Sequence, residues 1–436
     1  MKRKEISCLF FSLFIFSLLL LAGCNKFDSP PTIWDAGASY AKGAVITSVT
    51  PAGSAIAGVR EITILGKFAD SLSSNWIYFG SQPALVKKFS KGATDTLVVY
   101  RPPNYGAMDI KIVVPSADSV ARLSYNLENP SVPFDISGIN ITQTPCFMDL
   151  DKNGTIFIAY RGYIYKESPT GLSLPEMYKD TSYLKPRINK VAAAFSKDFV
   201  DMKFGPRGFL YATFASINSI YCMHPDSSNP YIYASFAANQ TAFFDFDKDA
   251  NGNGNLYTGK TGGLFLVKDN ASPRTPAGVG DYSGFNFVEI RVIKEPSGDK
   301  YVYAANTTSL YKSKIKSDGT LENRQAVIAD INTASGAGNV LKSFNVDVAG
   351  NIYFALLSSG TQVYSLYILE SNGQIRPYYM DNIVRDNVLN SGIDRLIWGN
   401  DSNLFISRAT TGTVASTRLF KVGMLRNGAP YFGRGL

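Results

Sequence analysis

The chain has 436 residues, of which 45% are hydrophobic and 18% charged, an ordinary balance for a globular protein long enough to form at least two domains. Its net charge is +8, but the Lys and Arg residues are scattered, which excludes the basic patch that a nucleic-acid binder needs. Aromatic residues make up 13% of the chain, and with 37 Gly and 21 Pro to supply turns they favour an all-β protein.

An export signal is predicted at the N-terminus. A basic head at residues 2–4 precedes an apolar run that ends at Leu21-Ala22-Gly23-Cys24. The run is shorter than the ~20 residues of a membrane-spanning helix, so a cleaved signal peptide over 1–23 is favoured over a transmembrane segment. The last four residues resemble the lipobox of bacterial lipoproteins. This resemblance implies that Cys24 is acylated. The polar and Pro residues that follow it predict a flexible tether, which with the lipidated Cys occupies 24–42.

Residues 43–128 are predicted to form a small β-sandwich, because short alternating apolar runs are separated by Gly, Pro and polar turns. The segment opens with Ser48-Val49-Thr50-Pro51, continues with Ile62-Thr63-Ile64 before Gly66, and has Phe79-Gly80 after its third strand. These features resemble an IPT/TIG domain. The resemblance implies an immunoglobulin-like fold that acts as a spacer or as part of a binding array.

A repeated pattern fills residues 133–436, after a Pro-containing linker at 129–132. Each copy has a polar turn, a short anchor strand with an aromatic residue, and a second apolar-aromatic strand. The anchor aromatics are Phe157, Tyr211, Tyr257, Tyr303, Tyr353 and Phe405. Their spacing, from 46 residues (211 to 257) to 54 (157 to 211), is typical of propeller blades and predicts six of them. The copies resemble NHL-type repeats, most clearly at 347–353.

Few residues offer chemistry. Asp149-x-Asp151-x-Asn153 and Asp245-x-Asp247-x-Asp249 look like the start of a calcium loop, but neither continues to the bidentate Glu that such a loop needs, so polar turns are favoured. His224, the one histidine in the sequence, lies in a predicted loop and is interpreted as an ordinary loop residue. Cys146 and Cys222 could pair, although small buried hydrophobic side chains are favoured. No catalytic residue, metal site or cofactor is predicted.

Ligand-binding residues are predicted in the turns that follow the anchor strands. If all blades have the same strand order, these turns open onto one face of the ring. Polar groups beside aromatic rings suit carbohydrate recognition, although solvated loops contain the same residues. The predicted set is Arg161, Tyr163, Lys260, Thr261, Asn306, Ser358 and Arg408.

The two-domain arrangement resembles accessory lipoproteins of Sus-type nutrient-uptake loci in Bacteroidota. The resemblance implies an outer-membrane, surface-exposed protein that binds a glycan, or less often a peptide, without cleaving it. A periplasm-facing orientation stays open, because the sequence does not reveal which way the anchor faces. The resemblance also implies a SusC/SusD-like TonB-dependent transporter pair as partner. Two alternatives stay open: a propeller enzyme of the polysaccharide lyase or lactonase type, and a structural subunit of an outer-membrane complex. A buried carboxylate cluster with a metal in the central channel would favour the enzyme.

Overall fold

The computed structural model describes residues 41–57, 61–100, 104–129, 131–133, 147–160, 163–167, 176–179, 199–224, 230–248, 254–358, 365–378, 392–408, 419–424 and 426–434. The predicted signal peptide, Cys24 and Cys146 lie outside these residues. Within them, almost all regular structure is β-strand, which confirms the prediction of an all-β protein. None of the helices in these ranges has the length and apolar character needed to cross a membrane.

Nine strands form the N-terminal domain. They are β1 (Val45–Thr50), β2 (Ser54–Ile56), β3 (Glu61–Lys67), β4 (Trp76–Phe79), β5 (Gln82–Pro83), β6 (Val86–Ser90), β7 (Asp95–Tyr100), β8 (Gly106–Val113) and β9 (Ala121–Glu128), with a 3-10 turn at Leu72–Ser74. One sheet has the order β1-β3-β7-β6 and the other β2-β9-β8-β4-β5. Strands β2 and β9 are parallel, and the remaining pairs are antiparallel.

The two sheets enclose one hydrophobic core. Alternate residues point inward, so Ile62 and Ile64 of β3 meet Ile110 and Ile112 of β8, all fully buried. Gly66 at the end of the Ile-Thr-Ile motif is required by packing, since a Cβ there would lie 1.9 Å from the carbonyl oxygen of Val45. The predicted β-sandwich is therefore present. Its assignment to the IPT/TIG family stays a prediction.

Six four-stranded sheets follow, one for each predicted blade. From the inner to the outer strand, blade 1 is β11 (Phe147–Leu150), β12 (Ile156–Tyr160), β13 (Tyr163–Glu167) and β14 (Glu176–Lys179). Blade 2 is β15 (Phe199–Phe204), β16 (Leu210–Phe214), β17 (Ser219–Met223) and β18 (Tyr231–Ser235). Blade 3 is β19 (Phe243–Lys248), β20 (Gly254–Lys260), β21 (Gly263–Lys268) and β22 (Ala277–Gly278).

The second half of the ring is built in the same way. Blade 4 is β23 (Glu289–Lys294), β24 (Lys300–Ala305), β25 (Leu310–Lys314) and β26 (Gln325–Ile328). Blade 5 is β27 (Asn339–Val346), β28 (Ile352–Ser358), β29 (Leu366–Leu369) and β30 (Ile375–Pro377), and a short helix α1 (Ile331–Ser335) precedes it. Blade 6 is β31 (Ile393–Trp398), β32 (Asn403–Arg408), β33 (Leu419–Gly423) and β10 (Ser131–Pro133).

Blade 6 closes the ring with strands from both ends of the propeller. Its outer strand β10 pairs antiparallel with β33, placing Val132 opposite Lys421. Inner strands of neighbouring blades are in contact all the way round, including β31 with β11. The predicted six-bladed propeller is therefore confirmed. The range predicted as a linker, 129–132, contains the first two residues of β10.

The strand order gives the ring two distinct faces. Inner strands begin at the upper face, where second and third strands are also joined, and they end at the lower face. Turns between first and second strands, such as 295–299 and 347–351, lie on the lower face. The six predicted anchor strands are all second strands, and their aromatic rings are buried between blades. Packing of these rings against the neighbouring blade helps to hold the blades together.

Candidate functional site

Two tiers of side chains from the inner strands meet at the ring axis. The lower tier lies opposite the six anchor aromatics, and the upper tier lies two residues earlier on each strand. The lower-tier residues are Asp149, Lys203, Asp245, Arg291, Asn345 and Ile397. The upper-tier residues are Phe147, Asp201, Phe243, Glu289, Ser343 and Arg395. Charged groups therefore occupy the centre of an otherwise apolar ring.

Buried carboxylates join neighbouring inner strands. The inner edge of such a strand has no further strand to pair with, so its N–H groups need other acceptors. Asp201 Oδ2 accepts a hydrogen bond from the Phe244 N–H at 3.0 Å, and Asp245 Oδ2 accepts one from the Val292 N–H at 2.7 Å. Asp149 Oδ2 likewise accepts from the N–H of Phe204 at 2.6 Å. Each carboxylate thus connects its own blade to the next one.

Glu289 is the centre of the ion-pair network. Its Oε1 lies 3.1 Å from Arg291 Nε and 3.3 Å from Lys203 Nζ, and its Oε2 accepts a hydrogen bond from Ser343 Oγ at 3.1 Å. Lys203 reaches it from blade 2 and also donates to the backbone oxygens of Phe244 and Ile290. Four acidic and four basic side chains balance at the axis, namely Asp149, Asp201, Asp245 and Glu289 with Lys203, Arg291, Arg395 and Arg434.

Burial and neighbouring charge move the pKa values of these acids in opposite directions. Burial raises the pKa of Asp201 and raises that of Asp245 to about 6. Burial opposes ionisation of Glu289 as well, but the charges of Arg291 and Lys203 outweigh it and hold its pKa below the usual value. Asp245 binds protons more readily in the folded chain, so its contribution to stability falls as the pH rises from about 4 to 6. Glu289 stays ionised and is the fixed anion of the network.

The lower end of the channel is filled by the C-terminal segment 426–434. Its backbone bonds to blade 5, where the Ala429 N–H donates to the Val346 oxygen at 2.8 Å. Tyr431 then accepts a hydrogen bond from Arg291, and Arg434 forms two hydrogen bonds with Asp149 Oδ1, at 2.7 and 3.2 Å. A Cβ at Gly433 would lie 2.2 Å from the Phe204 oxygen, so only glycine fits where the segment crosses blade 2. A ligand cannot enter the channel from this side without displacing the segment.

Arg395 occupies the upper end of the channel. Its guanidinium lies over the rings of Phe147 and Phe243, at 4.9 and 5.4 Å from their centroids, and its Nη1 donates to the oxygens of Lys342 and Val288 at 2.9 and 3.3 Å. These contacts come from blades 1 and 3, from blade 5, and from the residue just before blade 4, so the side chain spans the axis. It keeps 14% of its surface exposed. Arg395 therefore forms the floor of the upper face.

Several predicted ligand-binding residues lie on this upper face. Lys260 and Arg408 end second strands, and Thr261 is exposed in the turn after β20. Arg408 lies 5.7 Å from the ring centroid of Phe420, and burial lowers its pKa. The Asn306 side chain stabilises its own turn, because its Oδ1 accepts hydrogen bonds from the N–H groups of Thr308 and Ser309.

The other members of that set are described less fully. Tyr163 begins β13 opposite Tyr160, and Ser358 ends β28, so the backbone of both is at the upper face. The side chains of Tyr163 and Ser358, and all of Arg161, lie outside the described residues. No side chain from one of these turns is brought against another by a contact within the described part of the chain.

The remaining sequence candidates have structural roles. Asp151 Oδ1 accepts hydrogen bonds from the Asn153 and Thr155 N–H groups, so this loop is the polar turn that was predicted. His224 packs edge-on against Phe209, with centroids 4.6 Å apart. Cys222 is a free, fully buried thiol, and burial raises its pKa.

The axial network was missed at the sequence level, although one signal for it exists. Lys203 and Arg291 each stand alone between large apolar residues, in Met202-Lys203-Phe204 and Ile290-Arg291-Val292. Aligning the repeats on the anchor aromatics places both on the same tier. Charges at that tier indicate polar contacts across the axis, but they do not reveal which partner each one meets.

Neither a family model nor a curated protein sequence matches the chain. The solved structures that it is similar to include an auxiliary nutrient binding protein from Bacteroides ovatus, with 11% identity, a TM-score of 0.47, and coverage of 88% of this chain and 98% of that chain. A second auxiliary nutrient binding protein, from Bacteroides thetaiotaomicron, has 13% identity and a TM-score of 0.44, and the match covers 88% of this chain and 98% of that chain. A putative phosphatase from Bacteroides thetaiotaomicron has 12% identity and a TM-score of 0.49, and the match covers 88% of this chain and 97% of that chain. Similarity this low does not decide ligand or activity, so function has to be inferred from the residues of this chain.

Proposed function

We propose that this protein is a non-enzymatic binding protein that captures a glycan, or a peptide, on the upper face of its propeller. The observation that carries the proposal is that the channel is filled. Its lower end holds Tyr431 and Arg434, its centre holds the Glu289 network, and Arg395 lies across its top. The polar side chains at the upper ends of the second strands, among them Lys260 and Arg408, lie at this closed end of the ring, and we infer that they provide the hydrogen bonds to the ligand.

The state of the axial carboxylates supports binding over catalysis. A propeller hydrolase or lyase acting at the channel needs acids free to hold a metal or to move a proton. Here Asp149, Asp201 and Asp245 accept hydrogen bonds from backbone N–H groups, and Glu289 is enclosed by basic side chains. These carboxylates already form hydrogen bonds and ion pairs that connect the blades, so we assign them a structural role.

Binding and catalysis are separated by a glycan and peptide screen on the protein that begins after Cys24. We expect a ligand that binds equally with and without chelator and is recovered intact after prolonged incubation. Lys260→Ala and Arg408→Ala should each weaken it about 10-fold, the effect of losing one hydrogen bond to a charged group. Arg161→Ala is expected to act in the same direction.

Lys294→Ala is the matched control, since Lys294 is exposed at the end of inner strand β23, on the lower face. It should leave affinity unchanged, and the isolated β-sandwich should bind little. Equal losses from Lys294→Ala and Lys260→Ala would show that no specific face is used. Ligand cleavage that stops on adding chelator would instead establish the lyase or lactonase alternative.

We further propose that the protein is lipid-anchored at the outer membrane and works with a SusC/SusD-like transporter pair. The lipobox-like sequence before Cys24 supports the anchor, because it follows a basic head and an apolar run in the required order. Cys24→Ala should abolish incorporation of a fatty-acid probe and release the protein from membranes. Cys222→Ala is the control and should leave labelling unchanged. Labelling that survives Cys24→Ala would rule out this anchor.

A further inference from the structure

A cleft lies on the outer rim of the propeller. Its volume is about 450 Å³, and it is lined by residues 232–235 of the outermost strand of blade 2 and by residues 271–276, the loop that follows β21 in blade 3. We call it the rim cleft. Because β18 is the strand of its blade farthest from the axis, the rim cleft is distinct from the upper-face site.

Arg274 is held rigidly in this cleft. Its guanidinium carbon lies 4.5 Å from the ring centroid of Tyr233, and its Nη2 donates a hydrogen bond to Asp269 Oδ1 at 3.1 Å. The Tyr233 hydroxyl donates to the same oxygen at 3.1 Å, while Arg207 Nη2 donates to Asp269 Oδ2 at 2.8 Å. Tyr233 is buried, so the stacked ring is a fixed support. The guanidinium is thus oriented before any ligand arrives, which lowers the entropic cost of binding.

The same guanidinium has unused hydrogen-bonding capacity. Within the described residues its Nη1 makes no hydrogen bond, its Nε is buried without a partner, and the side chain is 28% exposed. Two guanidinium groups, Arg207 and Arg274, share the single carboxylate of Asp269, which leaves a local charge of +1 (2 − 1). A fixed, planar donor pair with excess positive charge is suited to a carboxylate, which it can bind through two parallel hydrogen bonds.

The rest of the lining narrows the class of ligand. Ser272 and Thr275 provide hydroxyl groups, and Ile232 and Pro273 provide apolar surface. A volume of about 450 Å³ is within the range of small-molecule sites. Hydroxyls, a small apolar wall and a carboxylate-binding arginine together match a sugar acid. We propose that the rim cleft binds a carboxylate-bearing sugar of the uronic acid class, with its carboxylate on Arg274.

The test is a saturation-transfer NMR titration of the protein from residue 25 onward with D-glucuronate and D-galacturonate, and with D-glucose and D-galactose as neutral probes. We expect saturable binding of at least one uronate and none of the neutral sugars. Arg274→Gln should weaken uronate binding about 10- to 100-fold, because it removes a charge-assisted pair. Lys294→Ala, on the lower face, should leave it unchanged.

Arg324→Gln is the matched control. Arg324 also lies over a tyrosine ring, that of Tyr311, and pairs with an aspartate, Asp281, but it does not line the cleft, so affinity should stay within about 2-fold of wild type. If Arg274→Gln does not fold, competition of acetate with glucuronate on the wild-type protein tests carboxylate recognition instead. Absence of uronate binding, equal binding of glucose, or equal affinity in folded Arg274→Gln would overturn the proposal, as would failure of acetate to compete.

Discussion

Glu289→Ala is expected to destabilise the propeller by about 3–5 kcal/mol, the usual cost of removing one partner from a buried ion pair. Glu289 is 2% exposed and neutralises both Lys203 and Arg291, so its loss leaves two buried cations without their main partner. For a domain of this size the unfolding temperature should fall by roughly 5–15 °C. Differential scanning calorimetry of the whole protein measures it.

Glu370→Ala is the matched control for this measurement. Glu370 also forms an ion pair with an arginine, Arg376, at 2.8 Å, but both side chains are partly exposed. Because solvent screens such a pair, its loss should cost no more than about 1 kcal/mol. If Glu289→Ala unfolded within 1 °C of wild type, or no earlier than Glu370→Ala, the axial network would not be what stabilises the ring.

Removing β10 is the second change with a large expected effect. A propeller fragment of residues 131–436 keeps the strand that completes blade 6, whereas a fragment of 134–436 lacks it. The shorter fragment should be less stable by about 2–3 kcal/mol, since three residue pairs between β10 and β33 are lost. It should also self-associate, because β33 then becomes an open sheet edge.

Thermal unfolding and size-exclusion chromatography of the two fragments test ring closure. A fragment of 129–436 is the control, since residues 129–130 precede the strand, and it should behave like 131–436. Equal stability of 134–436 and 131–436 would contradict closure by β10. Failure of all three fragments to fold would instead show that the propeller depends on the β-sandwich.

The blades could be predicted from sequence because their signal is local. A polar turn followed by a strand with a buried aromatic residue recurs at each blade, and the structure places all six aromatics between blades. Gly66 belongs to the same kind of signal, since the motif around it reflects a backbone contact within one pair of antiparallel strands, β1 and β3. Patterns that one or two neighbouring strands determine are readable without knowing the rest of the fold.

Ring closure and the axial network could not be predicted in the same way. Ser131-Val132-Pro133 is too short to show alternation and contains a proline, which an outer edge strand tolerates but which in sequence resembles a linker. Lys203 and Glu289 are 86 residues apart, and Arg434 and Asp149 are 285 apart. Such pairs are set by how the blades stack. No local pattern identifies the partner of a lone charge on a strand.

The candidate site, too, could be predicted from the sequence only in part. Sequence alone placed polar residues at one loop position of five of the six blades, and the structure puts Lys260, Thr261 and Arg408 at one face of the ring. It could not show that Asn306 would use its side-chain oxygen within its own turn, or that Arg395 would form the floor between the turns. Short amide side chains at turns commonly bond to the backbone two residues on, which explains the Asn306 arrangement.

Amide hydrogen exchange, with and without the ligand that the screen selects, tests most directly whether the upper face binds. Turns 261–262 and 306–309 represent that face, and turns 295–299 and 347–351 represent the lower face, which is covered near the axis by the C-terminal segment. We expect ligand to slow exchange in the upper-face turns and to leave the lower-face turns unchanged. Slower exchange confined to 295–299 and 347–351, with no change in the upper-face turns, would contradict binding at the upper face.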